Sequence, residues 1–430
     1  MPNHRNILFI CTDQQQGRAI GAIDESFDTP HLDRLADGGA LFTGCHSTHP
    51  QCSPARSSLV TGLYPHQTGM YTLPEWGPGP LNPALPSVAR PFREAGYDTA
   101  YIGKWHLGDG TVTDFGWETT ANVHETSNPP AGTPADTTTR DLTVEYLDAH
   151  DGAEPFFLTA SFNLPHPEFY EDIGFADRYE REAVPLPETW NDTLDDKPAF
   201  HRERAAETTG TMTEEDLRAM RYRYRTMVSR VDDHIGRILD ALQQNDLRNE
   251  TAVVVTSDHG DMQGAHRLAK KGVIAYDEIL RVPLIVDIPR QEPDRDRIPD
   301  LCSIASVPST LLDAAGLSPA GVGSTSLLPS LDRTAPPDDE AVFFEHKYAY
   351  WGEHPYRGVR TRDWKLVENL TDNVNELYHV SEDPYEMENL AGDPTHGDIA
   401  ANLSERLTCW WERTEGNIDE WTRPMDRSPR

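Results

Sequence analysis

Hydrophobic and polar positions along the chain form short apolar runs separated by longer stretches with helical spacing. Four runs are mostly apolar and carry the β-branched and aromatic side chains typical of buried strands. They are residues 7–11, 99–102, 156–160 and 252–256. Residues 214–244 show an apolar helical stripe behind a capping box formed by Thr213 and Asp216. This order predicts an α/β fold in which helices sandwich a large, mainly parallel sheet.

Polar side chains suited to chemistry follow each of the four runs. In chain order they are Asp13 and Gln14; Lys104 and His106; His166; Asp258 and His259. Because ligands of open α/β sheets bind beyond the carboxyl ends of the strands, these segments predict one common site. Carboxylate and carboxamide oxygens with one imidazole suit Ca²⁺, Mg²⁺ or Mn²⁺ better than a thiolate-rich zinc site.

The composition changes near residues 332–339, which hold two prolines and several acids. Beyond this break the pattern predicts three short antiparallel strands and one helix, at residues 341–344, 357–360, 364–367 and 400–413. We therefore expect two units. They are a catalytic domain over residues 1–335 and a small C-terminal α+β subdomain over residues 336–430.

Two polar stretches are predicted to be loops. Residues 122–139 are rich in Pro, Thr and Gly, and residues 170–210 are unusually long and charged. A loop as long as the second is either a substrate lid or a solvated insertion. His234, within the long helix, is expected to be a surface or packing residue and not a ligand.

The charge balance excludes one class of partner. Lys and Arg total 38 against 71 Asp and Glu, giving a formal net charge of −33. Nucleic acid is not an expected partner, since phosphate contacts need a basic surface. Only six of the basic residues are lysine. An acidic, lysine-poor surface is typical of halophilic proteins, and we expect the melting temperature to rise between low and molar KCl.

Cysteine usage and hydropathy bear on the compartment. The five cysteines form no CxxC pair, so zinc and a disulfide framework are disfavoured. They are Cys11, Cys45, Cys52, Cys302 and Cys409. The apolar run within residues 1–10 is too short for a secretory signal, and no segment approaches a membrane span. We therefore expect a cytoplasmic protein without a membrane partner. The sequence contains no signal for a particular oligomeric state.

Cys52 opens the most specific motif of the chain. Residues 52–62 read CSPARSSLVTG, in which Pro54 suits the first turn of a short helix and Gly62 its end. The cysteine would then lie at a helix N-terminus, where free N–H groups and the dipole favour an anion. Arg56 adds a fixed positive charge one turn later. Helix geometry alone also suits a redox-active thiol or a buried structural cysteine, so the chemistry stays open at this level.

The motif resembles the C-x-P-[SA]-R-x-x-x-x-T-G signature of the formylglycine-dependent sulfatases, and the resemblance covers nearly the whole chain. Further matching blocks are GKWHLG at residues 103–108, Pro165 with His166, SDHGD at 257–261 followed by His266 and Lys271, ELY at 376–378, and residues 383–390. The resemblance implies an alkaline-phosphatase-like fold with a C-terminal subdomain. It also implies hydrolysis of a sulfate monoester with release of inorganic sulfate.

The same resemblance implies that a maturase oxidises Cys52 to formylglycine. The implied ligands of one divalent metal, Ca²⁺ before Mg²⁺ or Mn²⁺, are Asp13, Gln14, the modified Cys52, Asp258 and His259. The implied catalytic residues are Cys52, Arg56, Lys104, His106, His166 and Lys271.

Each implied catalytic residue has an expected role. Hydrated formylglycine offers one hydroxyl to attack sulfur and a second to expel sulfate. Arg56 and the two lysines neutralise charge on the sulfuryl oxygens. His166 or Lys271 protonates the departing alcohol, and His106 assists release of the covalent intermediate. Lys270, next to Lys271, is the alternative for the second lysine.

Two positions depart from the commonest sulfatase pattern. Many sulfatases carry two aspartates where this chain has Asp13 and Gln14, and several carbohydrate sulfatases have Asp-Asn where it has Asp258 and His259. Both variants resemble the branch that includes choline sulfatases and phosphonate monoester hydrolases. Phosphonate monoester or phosphodiester hydrolysis is therefore the alternative activity, and a non-catalytic binding protein is the alternative if Cys52 is not matured.

The organic half of the substrate is expected to be an anionic carbohydrate sulfate ester first, and an aryl or alkyl sulfate second. Aromatic side chains often stack on such groups. Candidates for this contact are Trp76, His346, Tyr348 and Trp351, with ordinary packing as the equal alternative for each.

Overall fold

A computed structural model describes residues 5–109, 112–124, 135–289, 297–319, 321–331, 340–349, 352–371 and 374–424. Its strands are β1 (Asn6–Thr12), β2 (Ala40–His46), β3 (Asp98–Lys104), β4 (Thr119–His124), β5 (Phe156–Ser161), β6 (Thr251–Ser257), β7 (Leu284–Asp287), β8 (Arg297–Ser303), β9 (Ala341–Ala349), β10 (Gly352–Thr361), β11 (Lys365–Asn369) and β12 (Glu376–Tyr378).

The α-helices of the same residues are α1 (Pro30–Gly38), α2 (Cys52–Thr61), α3 (Pro65–Thr68), α4 (Ala89–Glu94), α5 (Ala135–Ala149), α6 (Ala199–Thr208), α7 (Glu214–Gln244), α8 (Asp277–Leu280), α9 (Val307–Ala314), α10 (Leu328–Leu331), α11 (Gly397–Arg413) and α12 (Ile418–Trp421). None of these described helices combines the length and hydrophobicity that a membrane crossing requires.

The large sheet has eight strands in the order β4-β3-β5-β1-β6-β7-β2-β8. All neighbours are parallel except β7, which runs antiparallel to β6 and β2. The predicted α/β fold with a mainly parallel sheet is confirmed. The four strands predicted from their apolar runs are the neighbours β3-β5-β1-β6, so their carboxyl ends lie side by side.

Alternate residues of the central strands enter separate cores on the two faces of the sheet. Leu8 of β1, paired with Leu158 and Val253, packs with the apolar stripe of α7. Phe9 and Phe157 face the opposite core together with Leu59 of α2. A strand buried on both faces reads as a continuous apolar run, which is why these strands are legible in the sequence.

The second sheet is small and antiparallel, in the order β12-β11-β10-β9, and lies in the C-terminal region as predicted. Leu407 and Trp410 of α11 pack with Val359 and Leu366 of the sheet. The backbone N–H of Glu345 donates to the carbonyl of Thr48 at 3.0 Å, which joins β9 to the segment leading to α2. The predicted boundary near residue 335 lies outside the described residues.

The two predicted loops contain more regular structure than expected. Residue 139 lies in α5 and β4 extends to His124, while residues 125–134 lie outside the described part of the chain. Within residues 170–210, α6 and three short 3₁₀ turns are present, so the prediction of an uninterrupted loop was wrong. The buried residues of α6 are Phe200, His201 and Ala205, which form no apolar helical stripe, so the sequence gives no clear signal for this helix. His234 is buried and stacks on Phe162, a packing position.

Candidate active site

Three of the site residues predicted from the sequence lie at the carboxyl ends of β1, β3 and β6, close to the start of α2. Asp13 follows β1, Lys104 ends β3, and Asp258 follows β6. Cys52 is the first residue of α2, and Gly62 ends that helix in the left-handed conformation, with φ 73°. Every residue of α2 is buried, so the cysteine is held by a rigid element within the core.

Four side chains form a compact cluster of potential metal ligands, namely Asp13, Cys52, Asp258 and His259. One ligand atom from each lies within 4.8 Å of the others, and all four residues are buried. The Gln14 side-chain oxygen is also buried and has no hydrogen-bond partner among the described residues. An unpartnered buried acceptor costs free energy, so its presence beside this cluster fits a cation ligand.

The Asp13 carboxylate is neutralised on one oxygen only. Its Oδ2 accepts hydrogen bonds from Lys104 Nζ at 2.6 Å and Arg56 Nη2 at 3.0 Å. Its Oδ1 lies 3.6 Å from the Cys52 sulfur. Burial raises the pKa of Asp13, but the nearby charges of Lys104 and Arg56 outweigh it and hold that pKa well below its usual range. Asp13 is therefore an ionised ligand facing the cysteine.

Arg56 binds both aspartates of the cluster. Its Nε donates to Asp258 Oδ2 at 2.9 Å, and its Nη1 donates to Ser161 Oγ at 2.8 Å and to the Lys104 carbonyl at 3.1 Å. Burial lowers its pKa, yet Asp258 and Asp13 raise it well above the ordinary value. Its N–H groups are directed at carboxylates and strand ends, an arrangement that fixes both aspartates.

His259 presents one ring nitrogen to the cluster. Its Nδ1 lies 2.8 Å from the Gly260 carbonyl, an acceptor, so Nδ1 carries the proton and Nε2 is left as the acceptor. That Nε2 lies 3.3 Å from the Cys52 sulfur. A carbonyl that orients the far nitrogen is the usual support of a metal-binding histidine. Burial lowers the pKa of His259, and the Asp258 and Cys52 charges raise it above its ordinary value.

Lys271 and His166 contact each other beside the cysteine. Lys271 Nζ is 2.6 Å from Cys52 Sγ and 2.8 Å from His166 Nε2. His166 Nδ1 lies 2.5 Å from the Pro167 carbonyl, so Nδ1 holds the ring proton and Nε2 accepts from the ammonium. Burial and the charge on Asp13 raise the pKa of Cys52, but Lys104, Lys271 and His259 bring it below the ordinary thiol value.

The adjacent lysine points elsewhere. Lys270 is partly exposed and its Nζ lies 2.8 Å from Glu168 Oε1. The geometry therefore favours Lys271 over Lys270 as the lysine that contacts Cys52.

His106 is buried two residues beyond β3, with φ 59°. Burial, followed by the charges of Lys104 and Lys271, lowers its pKa well below the ordinary value.

Some residues around the cluster are not identified as functional from the sequence. Ser161 ends β5 and holds Arg56. Asp261 accepts a hydrogen bond from Gln14 Nε2, and Tyr224 of α7 donates to the Gln14 carbonyl at 3.1 Å. Asp261 stands in the SDHGD block, which is the one sequence signal for it, whereas nothing in the sequence marks Ser161 or Tyr224.

His266, part of the same resemblance, lies apart from the cluster. Its Nδ1 is 2.7 Å from Asp192 Oδ2, and its ring stacks on Tyr276 with 3.8 Å between ring centroids. These contacts tie the segment after the SDHGD block to residues 188–194. The histidine serves packing and not the four-residue cluster.

Comparison with known families gives two matches. Residues 5–317 match the family described as Sulfatase. Residues 264–412 match the family described as N-sulphoglucosamine sulphohydrolase, C-terminal. The first match covers most of the chain, including every residue of the cluster.

Individual proteins agree with the family matches. The chain is 30% identical to an uncharacterized sulfatase, YidJ, of Escherichia coli strain K12, over 95% of this chain and 87% of that protein. It is 28% identical to an ulvan-active sulfatase of Formosa agariphila, over 94% of this chain and 81% of that protein. The structure of a 2-O GAG sulfatase superposes with a TM-score of 0.85 at 25% identity, over 99% of this chain and 95% of that one.

The fold is also shared with a phosphonate monoester hydrolase. The phosphonate monoester hydrolase of Silicibacter pomeroyi superposes with a TM-score of 0.79, over 95% of this chain and 96% of that one. At 23% identity this likeness concerns the architecture alone.

Proposed function

Because the chain belongs to the sulfatase family and is a sulfatase-type hydrolase, we propose that it releases inorganic sulfate from an organic sulfate monoester at Cys52, converted to formylglycine by a maturase. The observation that carries this proposal is the position of the Cys52 sulfur. It lies within 3.6 Å of Asp13, 3.3 Å of His259 and 2.6 Å of Lys271, so ligands and a proton donor surround one reacting position.

The residues present fit a divalent metal. Asp13, Asp258, the Gln14 carboxamide oxygen and His259 Nε2 would hold it together with the modified residue 52. This oxygen-rich set favours Ca²⁺, with Mg²⁺ or Mn²⁺ as alternatives. Formylglycine would supply the attacking hydroxyl, and the metal would lower the pKa of that hydroxyl and polarise the ester oxygens.

The cationic side chains have separate tasks in this proposal. Arg56 and Lys104 bind Oδ2 of Asp13 and keep that carboxylate ionised and in place, and Arg56 also holds the Asp258 side chain. Lys104 also contributes positive charge near the sulfuryl oxygens. Direct neutralisation of the sulfuryl group by Arg56, expected from the resemblance, is replaced here by a positioning role, since its N–H groups bind Asp13, Asp258 and Ser161.

Lys271 and His166 are proposed to manage the proton of the leaving group. The ammonium of Lys271 donates to His166 Nε2, so Lys271 is the proton source of the pair. Transfer of that proton to the departing alkoxide oxygen would give the alcohol and leave a neutral amine beside the neutral imidazole, and solvent would reprotonate the pair. His106 is proposed to assist the release step, as the resemblance implies.

A carbohydrate sulfate ester is the proposed substrate class, with an aryl or alkyl sulfate second. Similarity to an ulvan-active sulfatase and to a 2-O GAG sulfatase supports this order. Of the four aromatic candidates, Trp76 and Tyr348 are half-buried and stay candidates for substrate contact. His346 is fully buried against His49 and Tyr356, so packing explains it. Trp351 lies outside the described residues.

Phosphonate monoester or phosphodiester hydrolysis is the second candidate. The observation that favours it is Gln14, a neutral residue where many sulfatases carry a second aspartate, because a less negative site repels a phosphorus ester less. The shared fold with a phosphonate monoester hydrolase is compatible with it.

Substitution of Cys52 tests the proposal against both alternatives. For Cys52→Ser we expect loss of sulfate release by about 10⁴-fold or more, with an unchanged melting profile. Matched aryl sulfate and phenyl phosphonate esters separate the two hydrolase activities. Turnover of either ester by the variant at the wild-type rate would contradict the formylglycine mechanism. Absence of turnover in a wild-type protein carrying formylglycine would favour a binding protein.

A further inference from the structure

The carboxamide of Gln14 is fixed on one side and unpartnered on the other. Its Nε2 donates to Asp261 Oδ2, and the backbone N–H of Gln14 donates to Asp258 Oδ1 at 3.1 Å. Its Oε1 belongs to the same planar amide, therefore faces away from Asp261, and has no hydrogen-bond partner among the described residues. Gln14 also adopts φ 69°, so its backbone is held in an uncommon conformation.

Asp261 can present only acceptors to its neighbours. Its Oδ1 accepts from the backbone N–H of Gln263 at 2.9 Å and from Gln263 Nε2 at 2.7 Å. Its Oδ2 is the atom that accepts from Gln14. A buried carboxylate in this setting accepts the amide nitrogen and excludes the amide oxygen, because two oxygens in contact would both be acceptors. The orientation of the Gln14 amide thus follows from the charge of Asp261.

The surrounding backbone supports this arrangement. Gln16 Nε2 donates to the Asp261 carbonyl, and the Gln16 backbone N–H donates to the Tyr224 hydroxyl at 2.9 Å. The same hydroxyl donates to the Gln14 carbonyl at 3.1 Å. The turn after β1 and the turn after β6 are therefore joined side by side, which limits any movement of one amide relative to the other.

We propose that Asp261 is a positioning residue that turns the Gln14 carboxamide oxygen toward the metal cluster, and that positions 14 and 261 work as one amide-and-acid pair. This inference rests on the proposed function, because it assigns a task toward the metal of that site. It also gives a physical reason for a neutral residue at position 14, since a carboxylate there would face the carboxylate of Asp261.

A four-member series tests the pair. In Asp261→Asn the new side chain keeps its oxygen for the two Gln263 donors and turns its NH₂ toward position 14. The Gln14 amide must then reverse and direct its own NH₂ to the cation. In Gln14→Glu two carboxylates meet. In the double variant Gln14→Glu/Asp261→Asn, the asparagine NH₂ donates to one glutamate oxygen and leaves the other for the metal.

The readout is Ca²⁺ affinity of chelator-stripped protein by isothermal titration calorimetry, which needs no turnover. We expect Asp261→Asn to bind about 10–100-fold more weakly than wild type. Gln14→Glu should also bind more weakly, and the double variant should return to within about fivefold of wild type. A purely structural role for Asp261 instead predicts that the double variant binds no better than Asp261→Asn, and that result would overturn the inference.

Asp232→Asn is the matched control. Asp232 is likewise a buried aspartate that accepts backbone N–H bonds, from His31 and Leu32, but it lies outside the cluster. Its variant should keep wild-type affinity, and a loss as large as that of Asp261→Asn would overturn the inference. If wild-type protein titrates none of Ca²⁺, Mg²⁺ and Mn²⁺, the metal site of the proposed function fails and this inference fails with it. Normal wild-type binding with an unaffected Asp261→Asn overturns the inference alone.

Discussion

Two buried charge clusters of this protein use the same residue types for different ends. At the site, Arg56 and Lys104 both bind Oδ2 of Asp13 and leave Oδ1 facing Cys52. At the junction with the small sheet, Lys365 Nζ lies 3.0 Å from Asp277 Oδ1 and 2.6 Å from Glu386 Oε1. The junction ammonium therefore lies between its carboxylates, whereas Arg56 and Lys104 both bind the Asp13 oxygen that does not face Cys52.

The difference teaches that buried charge alone does not identify an active site. In both clusters, burial raises the pKa of the aspartate and a buried lysine holds it well below its usual range. Only at the site do lone pairs of Asp13, Gln14 and His259 remain beside a nucleophilic side chain. Two cations on the same oxygen of Asp13 leave its other oxygen as a ligand beside Cys52, whereas the ammonium between two carboxylates joins two parts of the fold.

The largest expected effect breaks the site and spares the junction. For Lys271→Ala we expect kcat for an alkyl sulfate to fall about 10²–10⁴-fold, because the leaving alcohol loses its proton donor. Lys270→Ala is the control, since Lys270 pairs with Glu168 at the surface, and its kcat should change less than about fivefold. Steady-state sulfate release measures both. Equal losses in the two variants would contradict the assigned role of Lys271.

The second prediction breaks the junction and spares the site. For Lys365→Met we expect the free energy of unfolding in urea to fall by about 3–5 kcal/mol, because Asp277 and Glu386 lose the buried ammonium between them. Lys270→Met, which removes a surface pair, should cost at most about 1 kcal/mol. A loss below about 1 kcal/mol in Lys365→Met would show that the junction cluster does not hold the small sheet.

Metal removal sharpens the comparison further. At a free metal concentration of about 100 times Kd, we expect the metal to add about 2.7 kcal/mol to the free energy of unfolding. The same increment, within about 0.5 kcal/mol, is expected in Lys365→Met, because the clusters share no partner. Asp258→Asn should lose most of it. Urea titrations with and without chelator test this, and an increment that survives in Asp258→Asn would place the metal elsewhere.

The smallest expected effect concerns a second contact of the small sheet. His66 of α3 lies 2.7 Å from Glu345 of β9. Burial lowers the pKa of His66, but the charge and hydrogen bond of Glu345 outweigh it and raise that pKa above its ordinary value. Because the pKa of His66 is higher in the folded protein than in the unfolded chain, its protonation stabilises the fold. This contribution is fully present below the pKa of the unfolded chain, about 6.5, and is lost as the pH rises through the pKa of the folded protein.

His66→Gln tests this contact. We expect the variant to be less stable than wild type by about 1 kcal/mol at about pH 5.5 and by less at about pH 8.5. Urea unfolding at the two pH values gives the difference. A deficit that grows with pH would contradict a protonated His66.

The sequence predicts the centre of the fold better than its edges. The central strands β1, β3, β5 and β6 are buried on both faces and appear as apolar runs. Edge strand β8 reads RIPDLCS and alternates exposed with buried positions, and edge strand β4 reads TTANVH. Neither shows a continuous apolar run, because an edge strand has a neighbouring strand on one side only and more of its side chains can be polar. The predicted boundaries of β9, β10 and β11 lie within five residues of the observed ones, and β12, with three residues, is not predicted as a strand.

The candidate site was predictable in its residue types and less so in its contacts. The positions of the strand ends predict that Asp13, Asp258 and His259 lie together, and the resemblance to the sulfatases adds Cys52 to them. The contact of Gln14 with Asp261 joins residues 247 positions apart and depends on a positive φ at Gln14, which spacing does not reveal. The positioning role of Arg56 likewise depends on how the Asp13 and Asp258 carboxylates are oriented toward its N–H groups, which the sequence does not reveal.

Mass spectrometry of residue 52 tests the central claim most directly. The tryptic peptide over residues 35–56 holds both Cys45 and Cys52, so Cys45 is an internal control for thiol alkylation. In active protein from native cells, we expect one alkylated thiol at Cys45 and an aldehyde at residue 52. Two alkylated thiols in protein that still hydrolyses sulfate esters would contradict the formylglycine mechanism.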